Sequence, residues 1–390
     1  MTGSKHIEIN PTLLLSLGVI YLLSVALFGF MYFQTDTPSY VNATKLLFGF
    51  DAEVDRLHRL VKPSALLIPG LFYMLFELPV IYGLFMQQFC CYFLSGILLY
   101  NIFLELFKDK GKAFWGTLLL FGCQPMAIYG VAYLVDGLGW FFGLLGIWMG
   151  IRILLISEKS YRHFLWVGFW VGFGFFAKES AAIAGLYLGI HILLNIEIGW
   201  IDKMKIYGYM GASFLIIVLG ISYFTQVYFG KSMLTWVEFA NTDPTYYSWK
   251  TCILQTFRTI DVYWVLVVLG VVQIWRKRKT EFPPNMLLHY MLTGLLLLVL
   301  LPFVWPYTID RILFMMSPFI LAIAVPAFDL FKGKVAWVVV VGLLLNLGVT
   351  FGIYKYELAG WLVKGSLIYI GFLVLLAFLS KREATPNHLP

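Results

Sequence analysis

Long apolar runs recur along this 390-residue chain, separated by gaps too short to hold a water-soluble core. A helix needs about 20 apolar residues to cross a bilayer. Segments 11–33, 80–107, 113–134, 137–157, 163–177, 180–195, 206–229, 257–275, 286–305, 311–330, 334–354 and 361–380 meet or approach that requirement. Composition agrees: 61% of the residues are hydrophobic and 13% charged, against about half and about a quarter in soluble domains. The pattern predicts an all-α membrane protein with about 12 transmembrane helices, of which 163–177 and 180–195 are short enough to be partly re-entrant. One polytopic membrane domain is expected over 1–380, with a cytoplasmic tail at 381–390 and no separate soluble domain. The first run is too long for a signal peptide and lacks a small-residue cleavage site, so it reads as an anchor.

The net charge is +7, but the basic residues lie in short scattered clusters, which argues against nucleic acid as a partner. Cys90, Cys91, Cys123 and Cys252 show no metal-ligand spacing and read as small buried hydrophobes. His6, His58, His163, His191, His289 and His388 are scattered, so no metal site is predicted.

Lys and Arg placement sets the expected orientation. With the N-terminus inside, the inner loops hold Lys108, Lys110, Lys112, Lys159, Arg162, Lys203, Lys205, the run Arg276–Lys279, Lys332, Lys334, Lys381 and Arg382. Both termini are then cytoplasmic. Arg152 lies near an inner span end, where it is expected to snorkel.

The outer loops carry a different chemistry. The first, about 34–79, begins with Asp36 at the end of the first span. It continues as an amphipathic stretch with apolar residues at Ala43, Leu46, Leu47, Phe50, Val54 and Leu57. That spacing predicts a helix lying in the membrane interface. Arg56, Arg59 and Lys62 follow as a candidate phosphate clamp. Asp136, the neighbours Lys178 and Glu179, and Asp310–Arg311 also fall outside, close to span ends. A second outer loop, 230–256, holds Trp236, Glu238, Asn241, Asp243, Tyr246, Tyr247 and Trp249. It suits sugar stacking or acceptor docking, or equally an interfacial aromatic belt. Singly, each charge has a structural explanation: Asp36 and Asp136 as helix caps, Lys178–Glu179 as a solvated turn, Arg311 as an anchor paired with Asp310. Ionisable groups at membrane depth are expensive unless paired or lining a wet cavity. Their gathering on one side points to a single polar site.

The ordered set resembles the polytopic glycosyltransferases of the GT-C fold, type A, which use polyprenyl-phosphate-linked sugars. It is most similar to the protein mannosyltransferase and aminoarabinose transferase group. The matching features are Asp36 with Tyr40, then Lys62-Pro63, then Asp136 ahead of Trp140-Phe141-Phe142. Gly172 to Ala177 leading into Lys178-Glu179 comes next, and Arg311 ahead of Ser317-Pro318 closes the series. Val61 departs from the aminoarabinose branch, which tends to carry an acid there.

The resemblance implies an inverting transferase in a bacterial inner membrane, working on its outer face with a glycan, lipid or protein acceptor. Asp36 would be the base. Arg311, Lys178, Lys62 and Arg59 would bind the donor phosphate, and Asp136, Glu179 and Tyr40 would orient sugar or acceptor. The sequence indicates no cofactor, and a divalent cation, Mg2+ or Mn2+, stays open as an alternative, with Asp36 and Asp136 as its carboxylates. A transporter or lipid flippase, and a non-catalytic assembly subunit, are the competing readings. No repeat favours the first, and the charges sit at one face rather than at span centres.

Overall fold

The computed structural model describes residues 7–33, 36–53, 57–155, 160–235, 249–278, 284–304, 314–356 and 360–383. Its secondary structure is helical apart from one parallel β-bridge, Met31 to Ala132. In chain order the helices are α1 (Pro11–Phe28), α2 (Asp36–Leu47), α3 (Pro63–Phe76), α4 (Val80–Phe107), α5 (Lys110–Phe121) and α6 (Gln124–Tyr129). Next come α7 (Asp136–Leu155), α8 (Phe164–Phe175), α9 (Ile183–Leu194), α10 (Trp200–Phe229) and α11 (Trp249–Ile260). The chain finishes with α12 (Trp264–Lys277), α13 (Asn285–Val304), α14 (Ser317–Ala324), α15 (Val335–Tyr356) and α16 (Gly360–Glu383). Among the described residues, 8 helices are long and apolar enough to cross a membrane. Of the remaining expected spans, 286–305 is covered by the single helix α13, and 113–134, 163–177 and 180–195 by shorter or interrupted helices. The last helix runs to Glu383, so part of the expected tail is helical.

The run 113–134 was expected as one helix and is broken at Gly122–Cys123. Pro125 has no N–H to donate to the preceding turn, and α6 restarts at Gln124 with Pro125 in its first turn. Membrane-depth backbone tolerates such a break only if its polar groups find partners. Asn346 of α15 supplies them: its Nδ2 donates to Gly122 O at 3.1 Å, and its Oδ1 accepts the Val262 N–H at 2.8 Å. The expected span 257–275 is interrupted in the same region by a 3-10 turn, Asp261–Tyr263. Thr350 Oγ1 donates to Asp261 Oδ2 there at 2.7 Å.

Lipid tails are as apolar as leucine, so packing and polar contacts drive association between spans. A row of glycines on α7 permits close packing. A Cβ at Gly146 would lie 2.6 Å from Val171 of α8 and 2.8 Å from Ala184 of α9. Helices α4 and α7 run antiparallel. Gln88 of α4 accepts the Gly137 N–H at one end, and Arg152 of α7 meets Glu105 of α4 at 2.7 Å at the other. Arg152 is therefore paired inside the protein rather than snorkelling to the interface. The rise from Gln88 to Glu105 is about 26 Å at 1.5 Å per residue, close to the hydrocarbon thickness. The two ends of this pair mark the two faces of the bundle.

The helix expected to lie in the interface differs from expectation in length and in its buried face. It stops at Leu47, where Gly49 takes φ 82°. Phe50 N–H reaches Lys45 O at 3.0 Å and Gly49 N–H reaches Leu46 O at 3.1 Å, the Schellman pattern that closes a helix. The face turned into the protein is Asp36, Ser39, Tyr40, Ala43 and Thr44, mostly polar. Phe50 is exposed, Leu57 starts a separate 3-10 turn, and Val54 lies outside the described residues. The histidines are less scattered than the sequence indicates, since His191 and His289 meet Nδ1 to Nδ1 at 3.0 Å across α9 and α13.

Candidate active site

Two strap-like segments carry the acids, and they are tied together. Tyr133 N–H donates to Met31 O at 3.0 Å. Thr37 Oγ1 accepts from Phe33 N–H at 3.2 Å and donates to Tyr133 O at 3.1 Å. The residues leading into α2 are thus stitched to those leading into α7. Asp36 and Asp136, the first residues of these two helices, come to the same end of the bundle.

Each acid meets a cation. Arg59, in the 3-10 turn Leu57–Arg59, donates from Nη2 to Asp36 Oδ1 at 2.8 Å. Its Nη1 donates to the Tyr40 hydroxyl at 2.6 Å, and its guanidinium lies 4.3 Å from the Tyr40 ring centroid. Lys178 Nζ lies 3.3 Å from Asp136 Oδ1. Lys62, at the start of α3, pairs with Glu179. All six charged side chains are buried. The three pairs form one electrostatic unit: the charges of Lys178 and Arg59 both act on Lys62, and those of Arg59, Lys178, Asp136 and Asp36 act on the Tyr40 phenol. Burial pushes the Tyr40 phenol up despite its cationic neighbours. Burial likewise brings the Lys62 ammonium down to about 8, with Glu179 pulling the other way.

The local sequence explains the placement. Gly139 lies one turn below Asp136, where a Cβ would come within 2.5 Å of the Lys178 Cβ. Glycine there lets Lys178 lie against α7 beside its acid. Apolar packing from Tyr40, Leu60, Leu66, Leu84, Leu138 and Phe142 surrounds the charges. In such a setting each ion pair is strong, and each unpaired charge is costly.

Of the residues singled out in the sequence, Asp36, Tyr40, Arg59, Lys62, Asp136, Lys178 and Glu179 converge. Arg311 and Asp310 lie outside the described residues, as do Arg56 and the loop residues Trp236 to Tyr247. Phe314, which follows Arg311 by three positions, stacks on Trp140 of α7 with centroids 4.1 Å apart. Among the described residues, no group of three or more His, Cys, Asp or Glu side chains could hold a metal ion. Sequence reasoning missed Gln88, which accepts from Gly137 N–H at 3.1 Å and donates to Tyr129 O at 2.7 Å, bracing the start of α7. The signal was present: Gln87-Gln88 interrupts an otherwise apolar span, where an amide is expensive without partners.

Residues 62–224 match a family model described as dolichyl-phosphate-mannose-protein mannosyltransferase. The solved structure of ArnT from Cupriavidus metallidurans in the apo state superposes with a TM-score of 0.58 at 14% identity, over 94% of this chain and 76% of that one. The same protein bound to undecaprenyl phosphate gives 0.60 at 14% identity, with the same coverage. The fold is shared with ArnT. The archaeal oligosaccharyltransferase AglB from Archaeoglobus fulgidus, in complex with an inhibitory peptide and a dolichol-phosphate, shares it too. Its TM-score is 0.54 at 10% identity, over 92% of this chain and 56% of that one. A search of curated proteins gave no sequence match. The family match and the shared fold support a membrane glycosyltransferase. The matched segment contains Lys62, Asp136, Lys178 and Glu179, while Asp36, Tyr40 and Arg59 precede it.

Proposed function

We propose that the protein is an inverting glycosyltransferase that moves a sugar from a polyprenyl-phosphate donor to an acceptor hydroxyl. The observation that carries this reading is the convergence of Asp36–Arg59, Asp136–Lys178 and Glu179–Lys62 around Tyr40 at one end of the bundle. Three acids matched by three buried cations are what a site needs to receive an anionic phosphate and then handle a proton. A phosphate arriving among Arg59, Lys62 and Lys178 exchanges carboxylate partners for phosphate oxygens and releases Asp36. Asp36 then takes the proton of the acceptor hydroxyl. The hydroxyl oxygen forms its bond to the anomeric carbon from the face opposite the phosphate, and the bond from that carbon to the phosphate oxygen breaks. Polyprenyl phosphate leaves with the electron pair, and the anomeric centre is inverted. The cations stabilise the charge that grows on the leaving phosphate, most strongly where water is scarce. Arg311 joins them in this proposal, its guanidinium suited to two-point phosphate contact. Asp136, Glu179 and Tyr40 orient the sugar. The reaction as proposed runs on carboxylate and cationic side chains, with no step routed through a divalent cation.

The donor's tail has a path. Helix α3 begins just after Lys62 and exposes Leu67, Leu71, Met74 and Leu75 along its length. One solved relative of the same fold binds undecaprenyl phosphate. In this reading the site lies on the extracytoplasmic face of a bacterial inner membrane. This rests on Lys108, Lys110, Lys112 and Lys277 gathering at the opposite end, as cytoplasmic positive charge would. Sugar and acceptor identity are open to assay.

The test is transfer by the purified protein in liposomes supplied with a panel of polyprenyl-phosphate sugars. Asp36→Asn is expected to lower turnover by about 10²–10⁴-fold while a polyprenyl-phosphate sugar still binds. Arg311→Ala is expected to weaken donor binding. Full activity in Asp36→Asn would remove the base and with it this mechanism.

A further inference from the structure

At the end of the bundle away from the candidate active site, a cavity of about 460 Å³ opens between α5, the 3-10 segment Val325–Phe331 and the start of α15. Its size falls within the ~300–1,000 Å³ of small-molecule clefts. Lys112, Lys332 and Trp115 line it, with Asp109 and Asp329. The acids are already engaged. Asp329 is shared between two ammonium groups, Lys112 Nζ at 2.8 Å and Lys277 Nζ at 3.0 Å. Asp109 caps α5, its Oδ1 accepting the Lys112 N–H at 2.9 Å. Lys332 is exposed and has no acidic partner among the described residues, and Lys334 follows in the same turn. Three lysines, Lys112, Lys277 and Lys332, from three separate parts of the chain thus gather about two carboxylates. The surplus positive charge surrounds a concave surface rather than a flat one.

A second feature starts at the cavity's edge. Helix α15 turns Trp337, Val340 and Leu344 outward, with relative exposures of 63%, 42% and 55%. Steps of three and four place them on one stripe of the helix, running along the span away from the cavity. A cationic hollow continued by a bare apolar stripe has the chemistry of a phosphate head joined to hydrocarbon tails. A free phosphate ion would use the first feature and gain nothing from the second.

We propose that this cavity binds the phosphate headgroup of an anionic phospholipid from the leaflet opposite the active site, with its acyl chains along α15. The headgroup phosphate sits among Lys112, Lys332 and Lys277 and relieves the mutual repulsion of their ammonium groups. Because these lysines belong to α5, α12 and the turn before α15, the lipid holds three spans together. Binding to the folded state alone raises the unfolding temperature, and the rise grows with the logarithm of ligand concentration above the Kd. Juxtamembrane lysines near anionic headgroups each contribute about fivefold in affinity.

The full chain, purified in a mild neutral detergent, is titrated with phosphatidylglycerol, phosphatidylcholine and inorganic phosphate. Native mass spectrometry reads retained lipid, and thermal unfolding reads stability. Phosphatidylglycerol is expected to bind and raise the unfolding temperature, while phosphatidylcholine and millimolar inorganic phosphate do neither. Lys112→Ala with Lys332→Ala is expected to weaken phosphatidylglycerol about 25-fold, and Lys205→Ala, elsewhere on the surface, to leave it unchanged. Should the double variant fail to fold, Lys332→Glu alone suffices: the residue is exposed, and its charge reversal is expected to weaken the lipid by more than fivefold. Equal binding of phosphatidylcholine overturns the proposal. So does equal stabilisation by inorganic phosphate, or undiminished phosphatidylglycerol binding in Lys332→Glu.

Discussion

The two ends of the antiparallel pair α4 and α7 both carry ion pairs, but of opposite kinds. At the Gln88–Gly137 end the pairs Asp36–Arg59, Lys62–Glu179 and Lys178–Asp136 are buried, with side-chain exposures from 2% to 11%. At the Glu105–Arg152 end the lysines reach into water: Lys108 is 59% and Lys110 72% exposed in pairs with Glu105 and Glu8. Exposed pairs contribute about 0–1 kcal/mol each. Buried pairs recover their desolvation cost only with good geometry, and apolar replacements are often as stable. The first set is therefore a poor way to hold a helix bundle together and a good way to keep charge ready in a dry place. The contrast separates charges held in water from charges held out of it.

That contrast can be broken most sharply by removing one buried partner. Lys178→Ala takes from Asp136 its cationic neighbour and is expected to cost about 3–5 kcal/mol of stability, read by thermal unfolding, and to abolish transfer. Exchanging both partners at once, Asp136→Asn with Lys178→Met, is expected to return most of the stability and none of the activity. A double variant that transfers sugar would mean the pair is merely structural. Gly139→Ala comes next: its methyl group presses on Lys178 and should cost about 1–3 kcal/mol by overpacking, with a larger proportional loss in turnover than in donor affinity.

A pH series sharpens the same point. Lys62 lies in the loop ahead of α3, and burial lowers its ammonium from 10.5 to about 8. Its charge is present below that value and lost as pH rises through it, so the KM for donor should climb above about pH 8. Between about 8 and 10.5 the unfolded chain holds the proton that the folded chain has released. The contribution of Lys62 to stability therefore rises with pH across that window. In Lys62→Arg, which stays charged, the climb in KM should vanish. A KM flat to pH 10 in the unaltered protein would show that Lys62 does not meet phosphate. The smallest effect belongs to the other end: Lys108→Ala should change stability by about 0–1 kcal/mol, since Arg152 still holds Glu105 at 2.7 Å.

Why the sequence disclosed most of the site and less of the helix geometry follows from what each costs. Asp36, Asp136, Lys178 and Glu179 stand out because charge beside an apolar span is expensive wherever the chain goes. Pairings between spans are less visible. Arg152 finds Glu105, 47 positions away on another span, and no local pattern announces that meeting. The break at Gly122–Cys123 was hidden for a different reason: hydropathy continues through it unchanged, while the lost helical hydrogen bonds are replaced by Asn346 from the far end of the sequence. The surface helix was read too long because apolar spacing persists past Leu47, whereas the backbone obeys Gly49. Arg311, prominent in the sequence, lies outside the described residues.

The stitch made by Thr37, Tyr133 and Met31 has one more consequence. Because the straps ahead of Asp36 and Asp136 are fastened to each other, the two acids travel as a single rigid fitting, whatever neighbouring loops do.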